Sequence, residues 1–159
     1  MKTTFLAGIT AALLQVSAVS ADIQPLSGTW SGSVAFDGQT GCPPEMMAQM
    51  QSGQQGYSGE ALNFPQPFDP VALEGNDANF MWTKITENVW EGVFSDIQAT
   101  PFGTLSVVSK SIVVIIAPEK INQVAELSVD LPLGLAQQLG MAGTTCFVGS
   151  TVYHTRIGP

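Results

Sequence analysis

The sequence predicts an all-β domain: an antiparallel up-and-down meander closing into a small barrel of about six to eight strands, with two short helices. Three observations lead there. Alternating or apolar runs of strand length recur along the chain, separated by short turns. Strands do not alternate with long amphipathic helices, as they would in a parallel α/β fold. A sheet of that size must curl or close to hide its edges, and its first and last strands are placed to pair.

The chain opens on Met1-Lys2, followed by an almost wholly apolar run from Phe5 to Val19 and by Val19-Ser20-Ala21. A short basic start, an apolar stretch and small residues at the cleavage positions form the pattern of a secretory signal peptide. Residues 1–21 are therefore read as a signal peptide and 22–159 as a single β-barrel domain, secreted or periplasmic. The apolar run is shorter than the ~20 residues that span a bilayer, so membrane insertion is not expected.

Thr29 to Phe36 places bulky residues or glycine at even positions and small polar residues at most odd ones, which predicts the first strand. From Asp37 to Asn79 the texture changes to Gly, Pro, Gln and Asn, read as an irregular crossing loop. It holds one helix, starting at Pro43-Pro44, running from Glu45 to Ser52 and stopped by Gly53. Met46, Met47 and Met50 share one face of that helix. Phe80–Thr86 and Val89–Ile97 form a hairpin turning at Glu87-Asn88. A plain two-residue turn sets Lys84 opposite Glu91 and Ile85 opposite Trp90. Met81, Thr83, Ile85, Trp90, Gly92 and Phe94 then face the core, and Trp82 and Val93 face water. Thr104–Ile116 and Ile121–Asp130 form a second hairpin, with Ile112, Val114, Ile116, Ile121, Ala125, Leu127 and Val129 as its core wall. Leu133–Leu139 is a short helix ended by Gly140, and Thr144–Ile157 is the last strand.

Composition excludes several functions. Five basic against 13 acidic side chains give a net charge of −8 and a pI near 4.2. That balance is wrong for neutralising nucleic-acid phosphates or docking on anionic lipid. One histidine and two cysteines leave no material for a multi-histidine or four-cysteine metal site, so no metal is expected. No Gly-x-Ser-x-Gly motif or close carboxylate pair supports hydrolase chemistry, and no enzyme activity or cofactor is assigned. Asp37-Gly38 and Glu74-Gly75-Asn76-Asp77 do not follow calcium-loop spacing. In an exported chain the two cysteines read as one disulfide, Cys42–Cys146, closing a loop nominally worth ~4.7 kcal/mol.

Antiparallel pairing of the first and last strands brings Trp30 opposite Arg156 and Gly32 opposite His154. The Cys42–Cys146 pair agrees in parity and differs by one two-residue step of register. Gly28, Thr29 and Trp30 near the start, with Arg156 near the end, resemble the Gly-x-Trp and closing Arg of the calycins (lipocalins, fatty-acid-binding proteins and avidins). The resemblance implies a calycin-like barrel in which Arg156 packs over the Trp30 indole as a cation–π pair. Gly28-x-Trp30-x-Gly32 is also similar to the start of nitrobindin-type haem barrels, which would make His154 an iron ligand.

The functional expectation is an exported lipocalin-like protein without catalysis that binds a small apolar ligand. Trp30, Met46, Met47, Met50, Trp90, Phe94, Ile112, Val114 and His154 line its site, and the methionine helix acts as a gate. The alternative is an envelope protein-interaction module, or a barrel resembling a protease inhibitor. Trp82, Phe64, Phe68 and the long Asp37–Asn79 segment then mark the partner surface. Haem binding through His154 is the third reading.

Overall fold

Period-two patterning and turn chemistry produce seven antiparallel strands in one sheet. They are β1 (Gly28–Thr40), β2 (Tyr57–Leu62), β3 (Met81–Thr86), β4 (Val89–Thr100), β5 (Gly103–Ala117), β6 (Lys120–Asp130) and β7 (Thr145–Gly158). Helix α1 (Pro44–Gly53) follows β1, a 3₁₀ turn covers Pro70–Leu73, and α2 (Leu133–Gln138) precedes β7. The computed structural model describes residues 22–53, 56–73 and 79–159, with backbone only for 49–53. The predicted signal peptide and Glu74-Gly75-Asn76-Asp77 lie outside the described residues. No helix among them is long and apolar enough to cross a membrane.

The strand order is β2-β1-β7-β6-β5-β4-β3. Every strand pairs with its neighbours in sequence except β2 with β3, and β1 pairs with β7. The meander is thus a ring lacking one pairing, and the expected closed barrel is replaced by a sheet with an open seam. Curling is visible in the packing. Tyr57 and Leu62 of edge strand β2 and Trp82 of edge strand β3 pack on one cluster with Trp30, Trp90, Val113, Ile115 and Ile121.

The cause of the open seam lies in the connection between β2 and β3. Pro65, Pro67 and Pro70 remove three ladder donors from it. Instead of pairing, it folds inward and buries Phe64 and Phe68. Edge-to-face contacts run from Trp30 to Phe64 (5.3 Å), from Phe64 to Phe68 (5.6 Å) and from Phe68 to Trp90 (5.0 Å). Aromatic packing therefore bridges β1 and β4 across the concave side.

A strap, residues 22–27, ties off the same end. Asp22 pairs with Lys84 and accepts from the Asn88 N–H (3.1 Å), while the Ile23 N–H donates to Asn88 Oδ1 (2.6 Å). Gln24 Oε1 accepts from the Phe68 N–H (2.8 Å), and the Leu26 N–H donates to the Pro118 carbonyl (2.9 Å). Ser27 Oγ accepts from the Phe64 N–H (2.9 Å). The strap so connects the β3–β4 turn, the seam loop and the β5–β6 turn to β1. Lys84 and then the Asn88 N–H hold the Asp22 carboxyl below its ordinary pKa.

Pairing of β1 with β7 follows the predicted register: Trp30 opposite Arg156, Gly32 opposite His154, Phe36 opposite Ser150. A register shift between Phe36 and Gly38 takes up part of the offset to the cysteines. Cys42 and Cys146 are disulfide-bonded, with S–S 2.02 Å and Cα–Cα 4.4 Å. This bond anchors a second cluster at the far end of the same face, where Met47, Val129, Leu131, Ala136, Cys146 and Val148 pack under α1 and α2.

Two facings differ from the sequence expectation. In the β3–β4 hairpin, Thr86 faces Val89, but a shift at Ile85 then sets Lys84 opposite Trp90 and Trp82 opposite Gly92. One extra residue inverts every side chain beyond it. Trp82 therefore packs inward on the core, its ring against Gly92, while Met81 and Ile85 are 74% and 57% exposed. Glu91 pairs with Lys110 (2.6 Å) instead of Lys84. In β5, Val113 faces Trp90 and Ile121 faces His154 across the neighbouring pair, so the inner residues are Ser111, Val113 and Ile115. Ile112, Val114 and Ile116 lie on the outer face. Ile112 to Ile116 is apolar without interruption, so alternation carries no facing information there. The long loop also hides a strand, β2, whose polar sequence YSGEAL has no apolar alternation to betray it.

Replacing both cysteines by serine should lower the unfolding free energy by about 3–5 kcal/mol, the upper end being the chain-entropy value for a loop of roughly a hundred residues. Urea denaturation with and without reductant measures this. An unchanged midpoint would mean that β1 and β7 need no staple.

Candidate functional site

The most organised polar group lies on the inner face of the sheet between the two apolar clusters. His154 of β7, Gln123 of β6 and Ser111 of β5 are brought together by the register of three consecutive strands. Tyr57 reaches them from β2 across Gly32, over which its ring lies. A Cβ at Gly32 would fall 2.2 Å from Tyr57 Cε1, so only glycine leaves room for the ring. Tyr57 Oη donates to His154 Nδ1 (2.7 Å), His154 Nε2 donates to Gln123 Oε1 (3.1 Å), and Gln123 Nε2 donates to Ser111 Oγ (3.0 Å). This orientation of Gln123 fixes the ring proton on Nε2.

Electrostatics keep the row neutral. Burial pushes the His154 pKa down to about 4. Burial, reinforced by the charge of Glu60, pushes Tyr57 up to about 12. Near neutral pH the imidazole is uncharged and the phenol protonated, as the hydrogen bonds require. Among the described residues no carboxylate is hydrogen-bonded to the row. Both ring nitrogens are engaged, and an iron ligand would have to give up Tyr57 or Gln123. Among the described residues no group of three or more His, Cys, Asp or Glu is arranged to hold a metal.

The other predicted site residues divide between core and surface. Trp30 is completely buried and donates from Nε1 to the Leu26 carbonyl (3.1 Å). Trp90 is buried in the same cluster, and Phe94 is half-buried against Phe80 (6.1 Å). Arg156 does not supply the cation over an indole. Its Nε donates to the Ser27 carbonyl (3.0 Å) and its guanidinium lies on Gly28, where a Cβ would stand 2.7 Å from Nε. The cation over an indole is Lys84, 5.5 Å from the Trp90 ring centre. Met47 is core, whereas Met46 is half-buried, 3.6 Å from the Cys146 sulfur, and borders a cleft. The Met50 side chain lies outside the described residues. Ile112 and Val114, on the outer face, cannot join His154. Phe64 and Phe68, offered as partner-facing aromatics, are instead buried in the seam loop.

Three depressions lined by described residues open to solvent. A cleft of about 430 Å³ between α1 and α2 is lined by Pro43, Pro44, Glu45, Met46, Gln138 and Leu139. A groove of about 420 Å³ follows the seam, between Pro67–Val71 and Phe80, Trp82, Lys84 and Trp90. A third, of about 300 Å³, lies near the Asp37 bulge and includes Val124, Glu126 and Phe147. Trp82 Nε1 is a buried donor with no acceptor among the described residues.

Sequence reasoning passed over Tyr57, Gln123 and Ser111. The available signal was parity: Gln123 stands at a core-facing position between Ile121 and Ala125, where a polar side chain needs a buried partner. In comparison with known proteins, no family model, no curated protein and no solved structure matches this chain.

Gly32→Ala should displace Tyr57 and cost about 1–3 kcal/mol in denaturant unfolding. A variant as stable as the parent would contradict the close approach of the ring. His154 also predicts a pH dependence. Its folded pKa of about 4 lies below the unfolded 6.5, so the unfolded chain binds more protons between those values. The stability this residue supplies is complete above pH 6.5. It falls as pH drops toward 4, by up to about 1.4 kcal/mol per unit. His154→Gln should flatten that slope; an unchanged slope would place the titrating group elsewhere.

Proposed function

We propose that the protein is an exported, non-catalytic interaction module that binds another protein through its surface. The observation carrying this reading is that the concave face is filled by the chain itself. Trp30, Phe64, Phe68 and Trp90 fill one end, and Met47, Leu131, Ala136 and Val148 fill the other. A carrier of apolar ligands needs an enclosed cavity of several hundred Å³, whereas the depressions lined by described residues open to solvent. Export is supported by the leader-like sequence of residues 1–21 and by the disulfide, which fits an oxidising compartment. In this reading the calycin likeness is one of strand order, with the first strand returning to the last, and the polar row of His154 serves to specify the fold.

The carrier reading has one observation of its own. Met46 borders the cleft between α1 and α2, where an adaptable thioether suits a small apolar guest.

Denaturing mass spectrometry of an organic extract, with titration of fluorescent fatty acids and retinoids, separates the two. The interaction module should yield no stoichiometric ligand and no saturable uptake. One equivalent of an apolar compound would overturn it in favour of the carrier.

A further inference from the structure

The two edges of the open sheet are not alike. β2 is short, polar and irregular: Ser58, Gly59, Glu60 and Ala61 are all exposed, Gly59 has φ 77°, and its pairing with β1 shifts between Trp30 and Ser31. Such an edge resists further pairing. β3 pairs with β4 on one side and with no strand on the other among the described residues. It presents Met81 and Ile85 to solvent, 74% and 57% exposed, and borders the seam groove through Trp82 and Lys84. An unpaired row of backbone N–H and C=O groups beside a groove lined by aromatics and prolines suits an extended chain.

Charge selects the kind of chain. Asp69 is an exposed carboxylate in the lining of the seam groove, Glu60 is exposed on the facing edge strand β2 and Glu87 in the β3–β4 turn, and the groove's Lys84 is already paired with Asp22. With a net charge of −8, a second copy of this protein would be repelled.

Resting on the interaction reading, we infer that β3 is the docking edge, and that it takes an extended partner segment alternating aliphatic and basic side chains. The segment adds as the strand beyond β3, its aliphatic residues covering Met81 and Ile85 and its cations meeting the seam carboxylates.

A blocked peptide of β3's length alternating valine and lysine is the probe. It is titrated into protein labelled at the methionine methyls, with binding also followed by calorimetry. Saturable binding that shifts the Met81 methyl and leaves Met46 and Met47 in place is expected. N-methylation of alternate peptide bonds keeps the side chains and charge but removes pairing donors, and should weaken binding by about tenfold or more. No binding, equal binding of the N-methylated peptide, or a shift confined to Met46 would overturn the edge assignment. So would a concentration-dependent dimer that perturbs Met81 without peptide, since the occupant is then a second copy. None of these outcomes alters the ligand-extraction result, which bears on the interaction reading by itself.

Discussion

The pairing of β1 with β7 is the constraint on which the rest of the structure depends. It joins the two ends of the chain, sets Trp30 opposite Arg156 and Gly32 opposite His154, and is secured by the Cys42–Cys146 disulfide. Each consequence follows by register. His154 meets Ile121 on β6, Ile121 meets Ile115 on β5, and Val113 meets Trp90 on β4. A shift of one residue between β1 and β7 would turn Trp30 outward and carry His154 away from Tyr57 and Gln123. Contacts so distant in sequence carry a large loop-closure cost, and the disulfide reduces it by confining the unfolded chain.

The ring formed this way is not completed by hydrogen bonds. Where β2 and β3 would pair, the chain uses proline, aromatic packing and the strap of residues 22–27. Phe64 and Phe68 act as a bridge between Trp30 and Trp90, and Asp22, Gln24, Leu26 and Ser27 tie turns and loop together. Filling the concave side in this manner uses the volume that a carrier would reserve for its ligand. It also leaves an edge strand and a groove exposed.

The existence of every strand but β2 and the longest-range pairing were legible in the sequence; facing was legible only where polarity alternates. β1 and β7 alternate, and the parity shared by the Trp30–Arg156 and Cys42–Cys146 pairs agrees with the register observed, the cysteine pair itself having been read from the export context. β3 and β5 could not. A bulge at Ile85 is invisible to a rule that assumes a plain two-residue turn, and it inverted Trp82. Ile112 to Ile116 offers apolar residues to both faces, so nothing local distinguishes Val113 from Val114. β2 forms because β1 and Tyr57 supply its partners, a tertiary cause with no local pattern. The calycin likeness implies Arg156 as a cation over Trp30, whereas its Nε is held by the Ser27 carbonyl and its guanidinium lies over Gly28. The barrel was expected on the general ground that edges must be hidden, whereas this sheet blunts β2 with irregularity and leaves β3 available.

Native-state hydrogen exchange resolved residue by residue tests the open ring most directly. With the ring held by β1 and β7 and open between β2 and β3, β1 and β7 amides between Trp30 and Phe36, and between Ser150 and Arg156, should exchange only through global unfolding. Amides of Met81–Thr86 that point away from β4 should exchange faster by orders of magnitude. Protection along both sides of β3 equal to that of β5 would mean that the seam is closed, and would contradict the account.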